Sequence, residues 1–159
     1  MSVAGAGSRQ GAGAATGYRL MEDAAGVLVE AWGPNREVTL RQVVLGMVAS
    51  FAETAGTGVQ AAFPLFLGAL NDEDALAYVI QEVIHSVRVR QLVPVDVLVE
   101  RGHRVGPCVV LRVAPLDSGV RIIGAPPVAI SRHGLHLAPE PDGTWRARAT
   151  LELGPVARG

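Results

Sequence analysis

The chain has 159 residues, of which 49% are hydrophobic and only 4% are aromatic. It contains fourteen Arg, no Lys and fifteen Asp or Glu, so its net charge is −1. This composition predicts one domain with an aliphatic core, large enough to need neither disulfides nor a structural metal. The near-zero charge argues against nucleic-acid binding by bulk electrostatics. Acids outnumber Arg up to residue 80 and Arg outnumber acids after it, which predicts a dipolar surface.

Two segments bear on tails and targeting. Residues 1–17 are rich in Gly and Ala and have no apolar stretch, so we predict a flexible tail rather than a signal peptide. Residues 54–71 form a long uncharged run interrupted by several Gly and a Pro, which favours a soluble linker with a short apolar patch over a membrane span. We therefore expect a cytoplasmic protein without membrane association, with a domain over residues 18–153 and a C-terminal tail over residues 154–159.

The predicted elements begin with a strand over residues 25–32, where Val27, Val29 and Ala31 alternate with other side chains before a Gly-Pro-Asn turn. Thr39-Leu-Arg-Gln42 matches a capping box and predicts a first helix over residues 39–54. Beyond the linker, a cluster of acids precedes a single apolar stripe, which predicts a second helix over residues 72–88.

The remainder of the chain is strand-like. We expect strands over residues 92–100, a Val-rich run ending at 113, and residues 119–123, 128–131, 134–138 and 144–153, the last two forming a hairpin. In the final strand small and apolar residues alternate with polar ones, so one face is core and the other a solvated arginine face. The predicted fold class is α+β, a mixed, mostly antiparallel sheet of about six strands with two amphipathic helices packed on it.

A catalytic nucleophile would require Cys108 beside one of the histidines, His85, His103, His133 or His136. Cys108 lies in an apolar predicted strand, which favours a buried, inert thiol. The i, i+3 pair His133 and His136 lacks further zinc ligands in its neighbourhood, so a surface or hydrogen-bonded pair is favoured. His85 lies on the polar side of the second predicted helix, where exposure is expected.

Charged side chains offer two further candidate sites. Arg146 and Arg148 share one strand face and, with Arg121 and Arg132 in nearby predicted strands, could meet phosphates or an acidic protein patch. Since Arg is the chain's only strong cation, a role in surface solubility is the simpler interpretation. Glu22-Asp23 and Glu152 could form a two-carboxylate cation site if the terminal strands are neighbours.

The order of these elements and several local strings resemble the archease family. The resemblance covers residues 18–153 and is most specific at the C-terminal end, where the alignment has no gaps. The matching positions are Tyr18, residues 22–33, Thr39-Leu40, the acidic start at Asp72, residues 127–133, Asp142-Gly-Thr-Trp145 and Glu152-Leu153. The resemblance implies a small cytosolic accessory protein, without chemistry of its own, that promotes turnover of a GTP- and metal-dependent RNA-splicing ligase in tRNA splicing and RNA repair.

The sequence departs from the family pattern at its cation site and elsewhere. Gly26 stands where the family has a cation-binding Asp, Asp23 stands at the family's His, and Glu152 replaces the Asp near the C-terminus. Val128 replaces a Lys, and Arg132 replaces a Tyr. The resemblance thus implies a weak calcium-type site at Glu152 and Asp23 at most, strengthened if Gly26 were changed back to Asp.

The expected partner is the RNA-splicing ligase, with RNA met only indirectly. The expected contact uses the N-terminal acidic edge and the terminal strand, with Arg146, Arg148 and His133 as contact residues. Two alternatives stay open. The chain could be a repurposed non-catalytic scaffold that binds another partner or a small ligand. It could also be a small enzyme that uses Cys108 or the histidines.

Overall fold

The computed structural model describes residues 16–23, 26–102, 104 and 106–154, so His103 and nearly all of both predicted tails lie outside the described residues. Within that part, the chain forms ten strands and two α-helices. The strands are β1 (Gly17–Asp23), β2 (Gly26–Gly33), β3 (Ala52–Glu53), β4 (Ala61–Phe66), β5 (Leu92–Glu100), β6 (Cys108–Pro115), β7 (Arg121–Ile122), β8 (Pro127–Ile130), β9 (His136–Pro139) and β10 (Trp145–Leu153). The helices are α1 (Arg36–Ala49) and α2 (Asp72–His85), and α2 continues into a π-helical turn, Ser86–Arg90.

The largest sheet has five strands in the order β1-β2-β10-β8, with β9 also paired to β10. Alternation places Val29, Ala147 and Leu151 on the face that packs against the helices, and each is almost fully buried. The hairpin predicted around Asp142-Gly143 is confirmed, since β9 and β10 pair in antiparallel register. Every strand pair among the described residues is antiparallel, and the predicted α+β class is confirmed.

A second sheet of three strands has the order β4-β6-β5, and β3 pairs separately with β7. The interpretation of residues 54–71 as a linker is wrong, because β4 lies within it and pairs with β6 along its whole length. Pro64, which argued against a strand, is tolerated because β4 is an edge strand. Leu65 and Leu67 from this segment are buried in the core.

Helix α1 lies between the two larger sheets and contacts β1, β2 and β5. It is consequently buried around most of its circumference, unlike α2, whose buried residues form one stripe. The absence of a side chain at Gly46 permits close packing, because a Cβ there would lie 3.1 Å from Cδ1 of Tyr18 and 3.2 Å from Cγ1 of Val29.

Both helices begin at an Asn cap. Asn35 accepts a hydrogen bond from the backbone N–H of Val38 at 2.9 Å, so α1 begins one turn before the predicted capping box at Thr39. The Thr39 hydroxyl instead donates to the backbone carbonyl of Asn35. Asn71 caps α2 by accepting from the Asp74 N–H at 2.8 Å, as the acidic start predicted. Helix α2 packs against β8 and β9, which positions its C-terminal end beside the large sheet.

Candidate functional site

The outward face of the large sheet carries a row of charged side chains, which we call the arginine face: Arg19, Glu30, Arg146, Arg148 and His136 together with Trp32. Register places Arg19, Glu30 and Arg148 side by side on β1, β2 and β10. Glu30 forms ion pairs with both guanidinium groups, the contact with Nε of Arg148 being 3.4 Å long. One carboxylate therefore orients two arginines on this face.

Arg146 lies two residues before Arg148 on β10, at the neighbouring outward position. Its guanidinium carbon stands 5.7 Å from the centre of the Trp32 ring, a cation–π contact between cross-strand partners. The Arg148 side chain remains 53% exposed despite its ion pair. The arginine face thus holds its cations in defined positions while leaving their donors accessible to a partner.

The four arginines that sequence analysis considered as one cluster do not all lie together in the structure. Arg146 and Arg148 lie together as predicted, whereas Arg121 lies on β7 in another sheet and pairs with Glu53 at 3.1 Å. Arg132 lies in the loop after β8 and lines a different surface, beside α2.

The two histidines of the i, i+3 pair also have different positions. His133 is exposed in the loop between β8 and β9, and its backbone N–H donates to the Ser131 hydroxyl. His136 lies on the arginine face opposite Arg148 and lines a small pocket of about 120 Å³ with Glu30 and Glu140. Sequence reasoning missed the roles of Glu30 and Trp32, whose only signal was the outward position of alternate residues in β2. It named His136 as a candidate, but as part of a pair with His133 and not as a neighbour of Arg148.

The predicted cation-site residues lie at the opposite end of the same strands. The terminal strands are indeed connected through β2, because Asp23 pairs with Gly26 and Leu151 pairs with Val27. Glu152 follows Leu151 and is exposed, while the side chain of Asp23 lies outside the described part. The pairing of β1, β2 and β10 thus places Asp23, Gly26 and Glu152 at the same end of the large sheet.

The local geometry at Gly26 leaves no room for a side chain. Gly26 has a φ of +149°, and a Cβ at this position would collide with the carbonyl oxygen of Leu151. Among the side chains that the structure describes, no three from His, Cys, Asp and Glu lie together where they could hold a metal ion. Glu152 alone supplies too few oxygens for a hard cation such as calcium.

Cys108 begins β6 and is fully buried. Its thiol donates a weak hydrogen bond to Oε1 of Glu100 at 3.8 Å. Burial, and after it the negative charge of Glu100, raises the pKa of the Cys108 thiol above its ordinary value. A thiol that is buried and protonated is a poor nucleophile, which agrees with the interpretation of an inert cysteine.

Comparisons with known proteins agree with this fold. The solution structure of protein 1598 from Methanobacterium thermoautotrophicum superimposes with a TM-score of 0.61 and 16% identity, covering 86% of this chain and 98% of that one. No helix in the described part of the chain is long and apolar enough to cross a membrane. The superposition therefore shows that the two proteins share an α+β fold.

The sequence comparisons identify the family. The model of the Archease protein family matches residues 18–153. Two curated proteins named "Probable protein archease", from the CDC 1551 and H37Rv strains of Mycobacterium tuberculosis, are each 32% identical over 142 residues, covering 89% of this chain and 77% of theirs. The chain belongs to the archease family, which confirms the resemblance found in the sequence.

Proposed function

We propose that this protein is a cytoplasmic accessory factor that promotes turnover of an RNA-splicing ligase by direct protein contact, and that it meets RNA only indirectly. Membership of the archease family supports the accessory role. The observation that carries the proposed contact is the arginine face, where Glu30 and Trp32 hold three guanidinium groups on one open sheet surface.

The chemistry of this face favours an acidic protein patch as its target. Guanidinium groups bind carboxylates in a planar, bidentate geometry, and those of Arg146 and Arg148 are positioned by their neighbours before a partner arrives. Glu30 is shared between two cations, so the face keeps a positive excess. Association through such a face should weaken as ionic strength rises.

The environment of Cys108 supports an accessory rather than a catalytic role. The thiol is buried, its raised pKa keeps it protonated at neutral pH, and its hydrogen-bond partner is a carboxylate rather than a histidine. A covalent mechanism would need the opposite environment.

A multiple-turnover RNA ligation assay tests the proposal, using the RNA-splicing ligase encoded by the same genome and titrating this protein as the activator. Arg148→Gln combined with Arg146→Gln should raise the concentration for half-maximal stimulation at least about tenfold, since charge-assisted contacts contribute roughly 1.5–3 kcal/mol each. Arg121→Gln is the matched control, because Arg121 is exposed and paired with a carboxylate on another sheet.

Two outcomes would contradict the proposal. One is wild-type protein that neither binds the ligase in a pull-down nor increases its turnover. The other is a double variant that stimulates as well as Arg121→Gln while remaining folded, which would remove the arginine face from the contact.

The alternative function, a scaffold that binds a different partner, is favoured by the geometry at Gly26. Residue 26 has no side chain to offer a cation, and a side chain introduced there would meet the backbone of β10. A ligase that responds to this protein equally with and without calcium would support the accessory role by contact alone. A ligase that does not respond at all would support the alternative.

A further inference from the structure

A pocket of about 530 Å³ lies between the C-terminal half of α2 and strand β8. Ile84 from the helix and Val128 and Ile130 from the strand line it with apolar surface, and the exposed Arg88 and Arg132 also line it. Its volume lies within the range of about 300–1,000 Å³ that is typical of small-molecule sites. None of its lining residues belongs to the arginine face, so the proposed ligase contact does not use it. Glu152 pairs with the lining residue Ala129 across β10 and β8 but does not itself line the pocket.

The polar side chains of the pocket come from two elements that face each other. Gln81, His85 and Arg88 follow an i, i+4, i+7 spacing and therefore project from one side of the helix and the turn after it. Arg132 approaches from the opposite side, at the end of β8. Two guanidinium groups from separate elements can thus converge on one ligand group.

The two arginines differ from most of the other arginines that the structure describes. Most described arginines contact a carboxylate, a backbone carbonyl or an aromatic ring. Among the described residues, Arg88, Arg104 and Arg132 have no such partner, and two of these three line this pocket. No Asp or Glu of the described part lines it either. The pocket therefore has positive charge without an internal counter-ion.

We propose that this pocket binds a small ligand that carries a phosphate or carboxylate group on an apolar body. The oxyanion would lie between Arg88 and Arg132, each of which can donate two parallel hydrogen bonds. The apolar body would pack against Ile84, Val128 and Ile130, which a simple anion could not contact.

The helix next to the pocket does not supply the positive field. The C-terminal end of a helix carries partial negative charge, which disfavours an anion. The two guanidinium groups must overcome that effect, so the affinity for an oxyanion should depend strongly on both. This dependence distinguishes a specific site from general attraction to a cationic surface.

The experiment measures binding of four probes to the full chain by titration calorimetry and by protein NMR: phenyl phosphate, benzoate, inorganic phosphate and phenol. We expect saturable binding of phenyl phosphate or benzoate with a Kd of about 1 mM or tighter, a reasonable affinity for ligands of this size. Inorganic phosphate and phenol should each bind at least about tenfold more weakly. Inorganic phosphate lacks the apolar body, and phenol lacks the oxyanion. A preference for phenyl phosphate over benzoate would identify the natural oxyanion as a phosphate, and the reverse as a carboxylate.

Variants then locate the site. Arg132→Gln and Arg88→Gln should each weaken binding at least about tenfold, whereas Arg104→Gln, which removes the other unpartnered arginine, should leave it unchanged. All three positions are exposed, so the variants should keep the wild-type melting temperature. No saturable binding of either organic anion at 10 mM, roughly the weakest affinity a site should have, or equal effects of the three variants, would overturn the proposal. The ligase is absent from this measurement, so its outcome is independent of the proposed accessory function.

Discussion

Replacing Gly26 by Ala should destabilise the protein much more than the same change at another glycine of positive φ. Gly26 begins β2 and has a φ of +149°, a conformation that L-residues rarely adopt. A Cβ there would lie 3.1 Å from the carbonyl carbon of Leu151 and would collide with its oxygen. Either β10 must move away from β2 or residue 26 must change conformation, and both disturb the pairing of Leu151 with Val27.

The magnitude follows from these two effects. Backbone strain of this kind costs about 1–3 kcal/mol, and a weakened hydrogen bond between two central strands costs about 1 kcal/mol more. The expected loss in the free energy of unfolding is therefore about 2–4 kcal/mol, which corresponds to a fall in melting temperature of roughly 4–16 °C for a chain of this size. Urea unfolding followed by circular dichroism measures it.

Gly134→Ala is the matched control, because Gly134 has a φ of +74° but no atom within 4 Å of the added Cβ. It should lose only about 1–2 kcal/mol, the cost of placing an L-residue in the left-handed region without a collision. Equal losses in the two variants would refute the steric argument at Gly26. The same geometry adds to the expectation drawn from the family resemblance, since Gly26→Asp should destabilise the domain whatever its effect on cation binding.

Three further predictions test the core, the buried thiol and the cation site. Ile84→Ala should lower the free energy of unfolding in urea by about 2–4 kcal/mol, and His85→Ala by under about 0.5 kcal/mol. The reason is that Ile84 is 8% exposed whereas the neighbouring histidine faces solvent. Equal losses in the two variants would contradict this orientation of α2. Because the pKa of Cys108 is raised in the folded state, its contribution to stability is present below the ordinary thiol pKa of 9.0 and is lost as pH rises past the folded value. Cys108→Ala should therefore reduce the alkaline loss of stability, and an unchanged slope would argue against it. Calorimetry should give a calcium Kd at or above roughly 1 mM, and a micromolar Kd abolished by Glu152→Gln would overturn that prediction.

The elements that the sequence predicted well are those with a clear period. The apolar stripe of α2 and the strict alternation of β10 each define one buried face, and the structure has both. Strand β1 (Gly17–Asp23) was missed because it is an edge strand with mixed polarity, paired only with β2. Strand β4 was missed because Pro64 and the neighbouring glycines are signals for a loop, and only its edge position makes Pro acceptable.

Local sequence patterns also could not predict which residues meet in the candidate sites when those residues are far apart in the chain. Alternation within one strand predicted that Arg146 and Arg148 share a face. The partners that orient them, Glu30 and Trp32, lie more than a hundred residues away along the chain, and only the register of β2 against β10 identifies them. The pocket beside α2 likewise depends on packing between α2 and β8, which neither local pattern contains.

The structure also changes the meaning of the lost family carboxylate at residue 26. If only the side chain were missing, a single substitution would restore the cation ligand. Gly26 instead has a backbone conformation that places it against the carbonyl group of Leu151. Strands β2 and β10 therefore lie too close together at this point for any side chain at residue 26. Recovering the ligand would require the backbone of both strands to change together. The arginine face lies at the other end of the same strands and needs no such change. This separation is the physical reason to expect that partner binding through the arginine face does not depend on cation binding.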